Sequence, residues 1–191
     1  IKMEAMRKAI RKLPLVSKVT CSGSVPGEEV AMFLSNRRTH DALKQNRLYE
    51  MLSCDPDYMD AYGLELVAGR GFSEDYGDDV NKLVINETAA RTLGYTDYES
   101  VIGEEISVET IEEPMQVIGV VKDYHQQALN RNYTPIMLFH KDKIDWIPQR
   151  YISIVMKPGD SLELVSQISE IWTTYFADSS FDYFFLDQFY D

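Results

Sequence analysis

Short apolar segments with strand-like patterning recur along this chain, and helical periodicity interrupts them only three or four times. A doubly wound sheet needs a helix between successive parallel strands, and no such regular alternation is present. The order of elements therefore calls for an α+β fold of mixed sheets with helices, not a repeated βαβ architecture.

The clearest junction is KLVINETAARTLGY, residues 82–95. Leu83 to Ile85 read as a strand, Asn86 as a helix N-cap, Ala89, Ala90 and Leu93 as a helical face, and Gly94 as the left-handed stop. LVSKVTCSG and LYEMLSCD read as earlier strands, separated by a polar connection through SNRRTHDALKQNR. GEEISVET and MQVIGVV form a candidate hairpin across the acidic turn IEEP, and TPIMLFHK and RYISIVMKP are further strands. A last helix runs through GDSLELVSQISEIWTTYF, with Asp160 as N-cap and Glu163 as its capping-box partner. DYFFLD reads as a final strand.

At the other end, KMEAMRKAIRKLP places Met3, Met6, Ile10 and Leu13 at helical spacing before Pro14 stops the helix. Its polar side carries Lys2, Arg7, Lys8, Arg11 and Lys12, a local excess of cations. Two readings fit: a solvated face, or a helix close to anionic lipid headgroups.

Size and charge narrow the function classes. A chain of 191 residues with 45% hydrophobic residues buries a genuine core without metal or disulfide staples. Its net charge of -12 argues against nucleic acid as a partner, because polyanion binding needs a basic surface. No apolar run approaches the ~20 residues that span a bilayer, and no signal-peptide pattern is present. The chain opens on Ile1 rather than Met, which suits a piece of a longer protein. Cys21 and Cys54 fall in or at the end of strands and read as buried free thiols, with a bridge as the alternative.

No cofactor, metal or catalytic set is marked by spacing. The glycines of GLELVAGRGF lack both GxGxxG and GxxxxGK[ST], so Gly69 and Gly71 read as turn residues flanking Arg70. The acids Glu74, Asp75, Asp78 and Asp79 do not follow a calcium-loop pattern and read as a solvated loop, as do Glu104 with Glu105 and Glu112 with Glu113. His40, His125 and His140 show no zinc spacing, and Ser22, Ser24 and Ser53 lack a nucleophile elbow. VIGVVKDYHQQAL offers Asp123 with His125 as the one acid–base candidate, against the simpler reading of a buried strand emerging into a polar loop.

Taken together, DPDYMDAYGLELVAGRGF, LVINETAARTLG, VIGEEI, VIGVVKDYHQQAL and YTPIMLF, in that order from Asp55 to Phe139, resemble the extracytoplasmic core domain of MacB/FtsX-type ABC transporter permeases of Bacteroides-like bacteria. The resemblance implies the periplasmic domain of an inner-membrane protein, lying between the first and second of four membrane helices. It implies no enzyme and no cofactor. It further implies a dimer with a second permease subunit, a cytoplasmic ABC ATPase acting through the membrane helices, and a periplasmic adaptor or effector protein. The work implied is mechanotransmission, for export of cargo or regulation of periplasmic partners. A free-standing periplasmic binding module or hydrolase is the alternative. The family pattern divides the chain into a membrane-proximal, porter-like α/β subdomain of residues 1–57 and 146–191 and an inserted, sabre-like subdomain of residues 58–145. Ile1 and Asp191 are then expected close together at the membrane side.

Overall fold

The computed structural model describes residues 2–30, 32–41, 45–127, 131–144 and 146–189. The terminal residues Ile1 and Asp191, Ala128 and Leu129 of the Asp123 segment, and the boundary residue Asp145 lie outside the described residues.

Among the described residues nine strands form one mixed sheet: β1 (Val16–Ser22), β2 (Phe33–Arg38), β3 (Arg47–Cys54), β4 (Leu66–Gly69), β5 (Lys82–Asn86), β6 (Glu105–Val108), β7 (Met115–Val121), β8 (Ile136–His140) and β9 (Tyr151–Met156). Hydrogen bonding runs in the order β2-β6-β7-β5-β8-β3-β1-β9, and β4 pairs with β7. Because β2 also pairs antiparallel with β3, the first six strands of that path close on themselves. Parallel pairs, β3 with β8 and β5 with β7, sit among antiparallel ones. This is the α+β class expected from the order of segments.

Strands β5, β7 and β8 of the closed path are buried on both faces, so they read as apolar runs instead of alternating ones. Along β8, Met137 and Phe139 enter one core with Leu83, Ile85, Met51 and Val117, while Ile136 and Leu138 enter a second with Val84, Leu52 and Tyr58. Helix α3 (Glu87–Thr92) covers the first core with Ala89 and Ala90. It starts where expected: the Asn86 side chain accepts a hydrogen bond from the Ala89 amide at 2.9 Å. Gly94 follows at φ +96°.

A third core belongs to the two ends of the chain. Helix α1 (Lys2–Ile10) contributes Met6 and Ile10, helix α4 (Ser161–Tyr175) contributes Leu164 and Ile168, and both pack over Val16 and Val19 of β1. Asp160 caps α4 by accepting from the amides of Leu162 and Glu163. Glu163 does not return the bond; its carboxylate accepts from Gln167.

Three elements differ from expectation. Phe33–Arg38 is a strand inside the polar connection, because pairing with β3 and β6 on its two sides outweighs its polarity. Tyr58–Tyr62 forms a short helix, α2, closed by Gly63 at φ +64°. DYFFLD is not a strand: Phe181, Tyr183 and Phe185 contact one another ring to ring, and Phe181 packs on Trp172 of α4, followed by a single 3₁₀ turn at Leu186–Phe189. Cys21 and Cys54 are free and buried. Register explains why: Ser22 lies opposite Cys54, so Cys21, one residue away, faces the other side of the sheet.

Candidate functional site

The densest buried polar constellation joins α1 to the corner after β3. Asp55 follows the last residue of β3 and is 1% exposed. Its carboxylate accepts from the Thr20 hydroxyl, from the Cys21 amide at 2.9 Å, and from the guanidinium of Arg7. Arg7, on the inward side of α1, is itself only 5% exposed and also binds Glu4 at 3.1 Å. One turn on, Arg11 donates to Asp57 and to the Val19 carbonyl. Lys18 of β1 reaches Asp60 of α2 at 2.6 Å. Three cations from the first eighteen residues thus meet three carboxylates between residues 55 and 60.

This arrangement corrects the reading of the helix. Lys2, Lys8 and Lys12 face solvent, but Arg7 and Arg11 turn toward the protein. The sequence signal was available in principle: Arg7 is one residue from Met6 and three from Ile10, so it borders the apolar stripe. Which acid it meets depends on a contact 48 residues away, and local periodicity does not carry that.

Burial pushes the Asp55 carboxyl above its ordinary range, opposed by the Thr20 hydroxyl, the Arg7 charge and the Cys21 amide. Burial likewise raises the Cys21 thiol to about 11, opposed by Arg7, so the cysteine beside this joint is a protonated packing residue and not a thiolate nucleophile.

Asp123 and His125 are not brought together as an acid–base pair. Asp123 accepts from the Thr88 amide and hydroxyl at 2.9 and 2.8 Å and from Arg91 at 2.5 Å, which ties the end of β7 to the first turn of α3. His125 packs its ring on Tyr133, with centroids 4.7 Å apart. Asp123→Asn should therefore cost about 1 kcal/mol of stability through a weakened charge-assisted bond. His125→Gln should fall within about 0.5 kcal/mol of the parent, as surface changes do. Urea titrations of the two variants check this, and neither change should alter the output of the full permease.

The other candidates separate similarly. Asp79, expected in a solvated acidic loop, is 3% exposed and takes a bidentate bond from Arg70 at 2.7 Å on each oxygen. Burial works against its charge, but Arg70 and the Ser73 amide hold its carboxyl below the ordinary range. Arg70 also lies 4.0 Å over the Tyr76 ring. Gly69, expected in a turn, is instead the last residue of β4, paired with Gly119 at φ +65°, and Gly71 lies just beyond the strand, outside any turn. His40 is exposed beside Glu105. Among the described residues no group of three His, Cys, Asp or Glu side chains is placed to hold a metal ion.

His140 is nearly buried, edge-on to Phe72. Burial lowers its pKa below the ordinary 6.5, with Asp142, Asp79 and Asp55 opposing and Lys141 assisting. A depressed folded-state pKa means that the unfolded chain binds more protons in this window. The contribution is complete above pH ~6.5 and is lost as the pH falls below it. His140→Gln should flatten the decline in unfolding free energy as the pH falls below about 6.5. Equal slopes for variant and parent would remove His140 as the cause.

The fold is an α+β domain whose first helix is tied to the corner after β3 by ion pairs. The model of the MacB-like periplasmic core domain matches residues 3–170. The fold is that of the periplasmic region of MacB from Actinobacillus actinomycetemcomitans, with 16% identity, a TM-score of 0.62 and coverage of 90% of this chain and 72% of that one. It is also that of the extracellular domain of the noncanonic ABC-type transporter YknZ from Gram-positive bacteria, with 16% identity, a TM-score of 0.64, and 90% and 82% covered. No curated protein matches the sequence. The chain belongs to the MacB-like periplasmic core domain family, and it is the periplasmic domain of a MacB-like ABC transporter permease. Among the described residues no helix is long and apolar enough to cross a membrane.

Proposed function

We propose that this domain relays ATP-driven movement of its permease to the periplasm, by mechanotransmission, so that cargo is exported or a periplasmic partner is regulated. The observation that carries the reading is the joint of Arg7, Arg11 and Lys18 with Asp55, Asp57 and Asp60. A helix that enters from a membrane segment can move a domain only if it is fastened to it. Apolar packing of Met6 and Ile10 supplies adhesion, and the directional bonds to the β3–α2 corner fix rotation about the helix axis.

In this reading residues 1–57 and 146–191 form the membrane-proximal part, supported by the core that α1, β1, β9 and α4 build from the two chain ends. Residues 58–145 present the surface that meets a periplasmic adaptor or effector. The partners on the membrane side are a second permease subunit and a cytoplasmic ABC ATPase.

The test uses the parent permease with its ATPase. Arg7→Met with Asp55→Asn removes both buried charges together and preserves the fold. ATP-dependent export or partner activation should then fall several-fold while ATP hydrolysis continues. Unchanged output would overturn the coupling role. A parent gene lacking a hydrophobic segment before Ile1 and another after Asp191 would remove the permease setting altogether.

A further inference from the structure

Strand β9 ends the hydrogen-bonded order of the sheet, and among the described residues β1 is its sole ladder partner. The opposite end of that order has no open side, because β2 bonds back to β3. β9 therefore carries a free edge, along which alternate residues point an N–H and a C=O away from β1.

Native edges are blunted by charge, proline, a bulge or shortness. β9 has none of these. Tyr151, Ile152, Ser153, Ile154, Val155 and Met156 carry no charge and no proline, and the irregularity of the pair lies in β1, between Val16 and Lys18. The faces of the strand are already engaged: Ile152, Ile154 and Met156 join the third core, Ser153 accepts from the Tyr62 hydroxyl at 2.6 Å, and Tyr151 donates to Glu28 at 2.6 Å. All six residues nonetheless stay only half-buried, as an open edge leaves them.

Charge selects the occupant. Arg150 and Lys157 flank β9, and both are exposed. Among the described residues they meet the Tyr151 ring at 5.6 Å and the Pro14 carbonyl at 3.1 Å, not a carboxylate. A second copy of β9, laid antiparallel in full overlap, would bring Arg150 against Lys157 at both ends, a like-charge pairing that costs stability. The chain's own Asp182–Asp187 segment sets its acids five residues apart, against seven between Arg150 and Lys157. It meets β9 at the first residue, where Phe184 lies edge-on to Tyr151 at 6.0 Å, and then enters the 3₁₀ turn at Leu186–Phe189. A strand from elsewhere, neutral in the middle with an acid at each end, satisfies both the ladder and the two cations.

We infer that the outer edge of β9 binds an extended segment of a partner protein by strand addition, the segment being uncharged opposite Tyr151–Met156 and acidic opposite Arg150 and Lys157. The chain of residues 1–191 tests it with a fluorescent peptide that alternates Thr and Val between two terminal Asp residues and spans Arg150 to Lys157. The peptide should bind saturably, read by anisotropy, and should slow hydrogen exchange of the β9 amides. A Lys-ended copy should bind at least about tenfold more weakly. A copy N-methylated along its backbone should not bind, since it keeps the side chains and loses the ladder donors. Arg150→Glu with Lys157→Glu should reverse the preference for Asp over Lys ends with the melting temperature unchanged. No binding of the Asp-ended peptide, equal binding of the Lys-ended one, or binding of the N-methylated copy overturns the inference. So does protection of the β9 edge without peptide: independent of concentration it puts the chain's own segment there, and rising with concentration it puts a second copy there.

Discussion

Arg7→Met alone should lower the stability of the domain by about 3–5 kcal/mol, because it leaves the Asp55 charge buried without its cation. Folded domains hold only about 5–15 kcal/mol in reserve, so this single change consumes a large share of it. At about 2–4 °C per kcal/mol for a chain of this size, the melting temperature should drop by roughly 6–20 °C. Asp55→Asn alone should be comparably severe. It takes away the one buried carboxylate that the Arg7 guanidinium meets, leaving it, with its unpartnered Nε, only the half-exposed carboxylates of Glu4 and Asp57. The double variant should recover most of the loss. Asp55→Asn still leaves a side-chain oxygen for the Thr20 hydroxyl or the Cys21 amide, and Arg7→Met keeps the volume of the arginine stem. A coupling energy of about 2 kcal/mol or more from the double-mutant cycle is the expected result. Additive losses would mean that the two side chains act independently.

Gly119→Ala should be the second severe change, at about 3 kcal/mol. Gly119 of β7 and Gly69 of β4 lie opposite one another, and the chains approach so closely there that a Cβ on Gly119 would sit 2.1 Å from the Arg70 carbonyl oxygen. Gly69 is constrained twice over: its Cβ would meet the Ile118 carbonyl oxygen at 2.2 Å, and its φ is +65°. In both cases the obstructing atom is main chain and cannot swing aside. Relief requires separating β4 from β7, which breaks the Arg70 amide bond to Ile118. The control is Gly77→Ala, where no atom lies within 4 Å. It should unfold at the parent's denaturant midpoint, and a Gly119→Ala midpoint equal to it would refute the close-approach account.

These two sites mark what the sequence made legible and what it hid. Capped helices were readable because Asn86 and Asp160 act within three residues of themselves. The apolar strands β5, β7 and β8 were readable because burial on both faces writes a continuous run. Strand β2 was not, since Leu34, Asn36 and Arg38 owe their extended form to partners on two other strands. The glycine of VIGVV could have been flagged, because an isolated Gly in a strand pattern marks close backbone approach. DYFFLD misled for the opposite reason: its aromatics satisfy themselves ring to ring and need no ladder. The ion-pair joint was hidden most completely. Its cations and acids were visible as residue types, but their pairing is a property of the closed fold.

The central claim is that α1 and the β3–α2 corner move as one body when the permease cycles. Spin labels at Lys8 and Glu65, both exposed and outside the bonds of the joint, measure it in the proposed dimer of the parent permease, since Cys21 and Cys54 are buried and spared by labelling. The distance from residue 8 to residue 65 within a subunit should be the same in nucleotide-free and ATP-bound permease, while the distance between the two residue-8 labels across that dimer should change. An inter-subunit distance that ignores ATP, or an intra-subunit distance that shifts with it, would contradict the account.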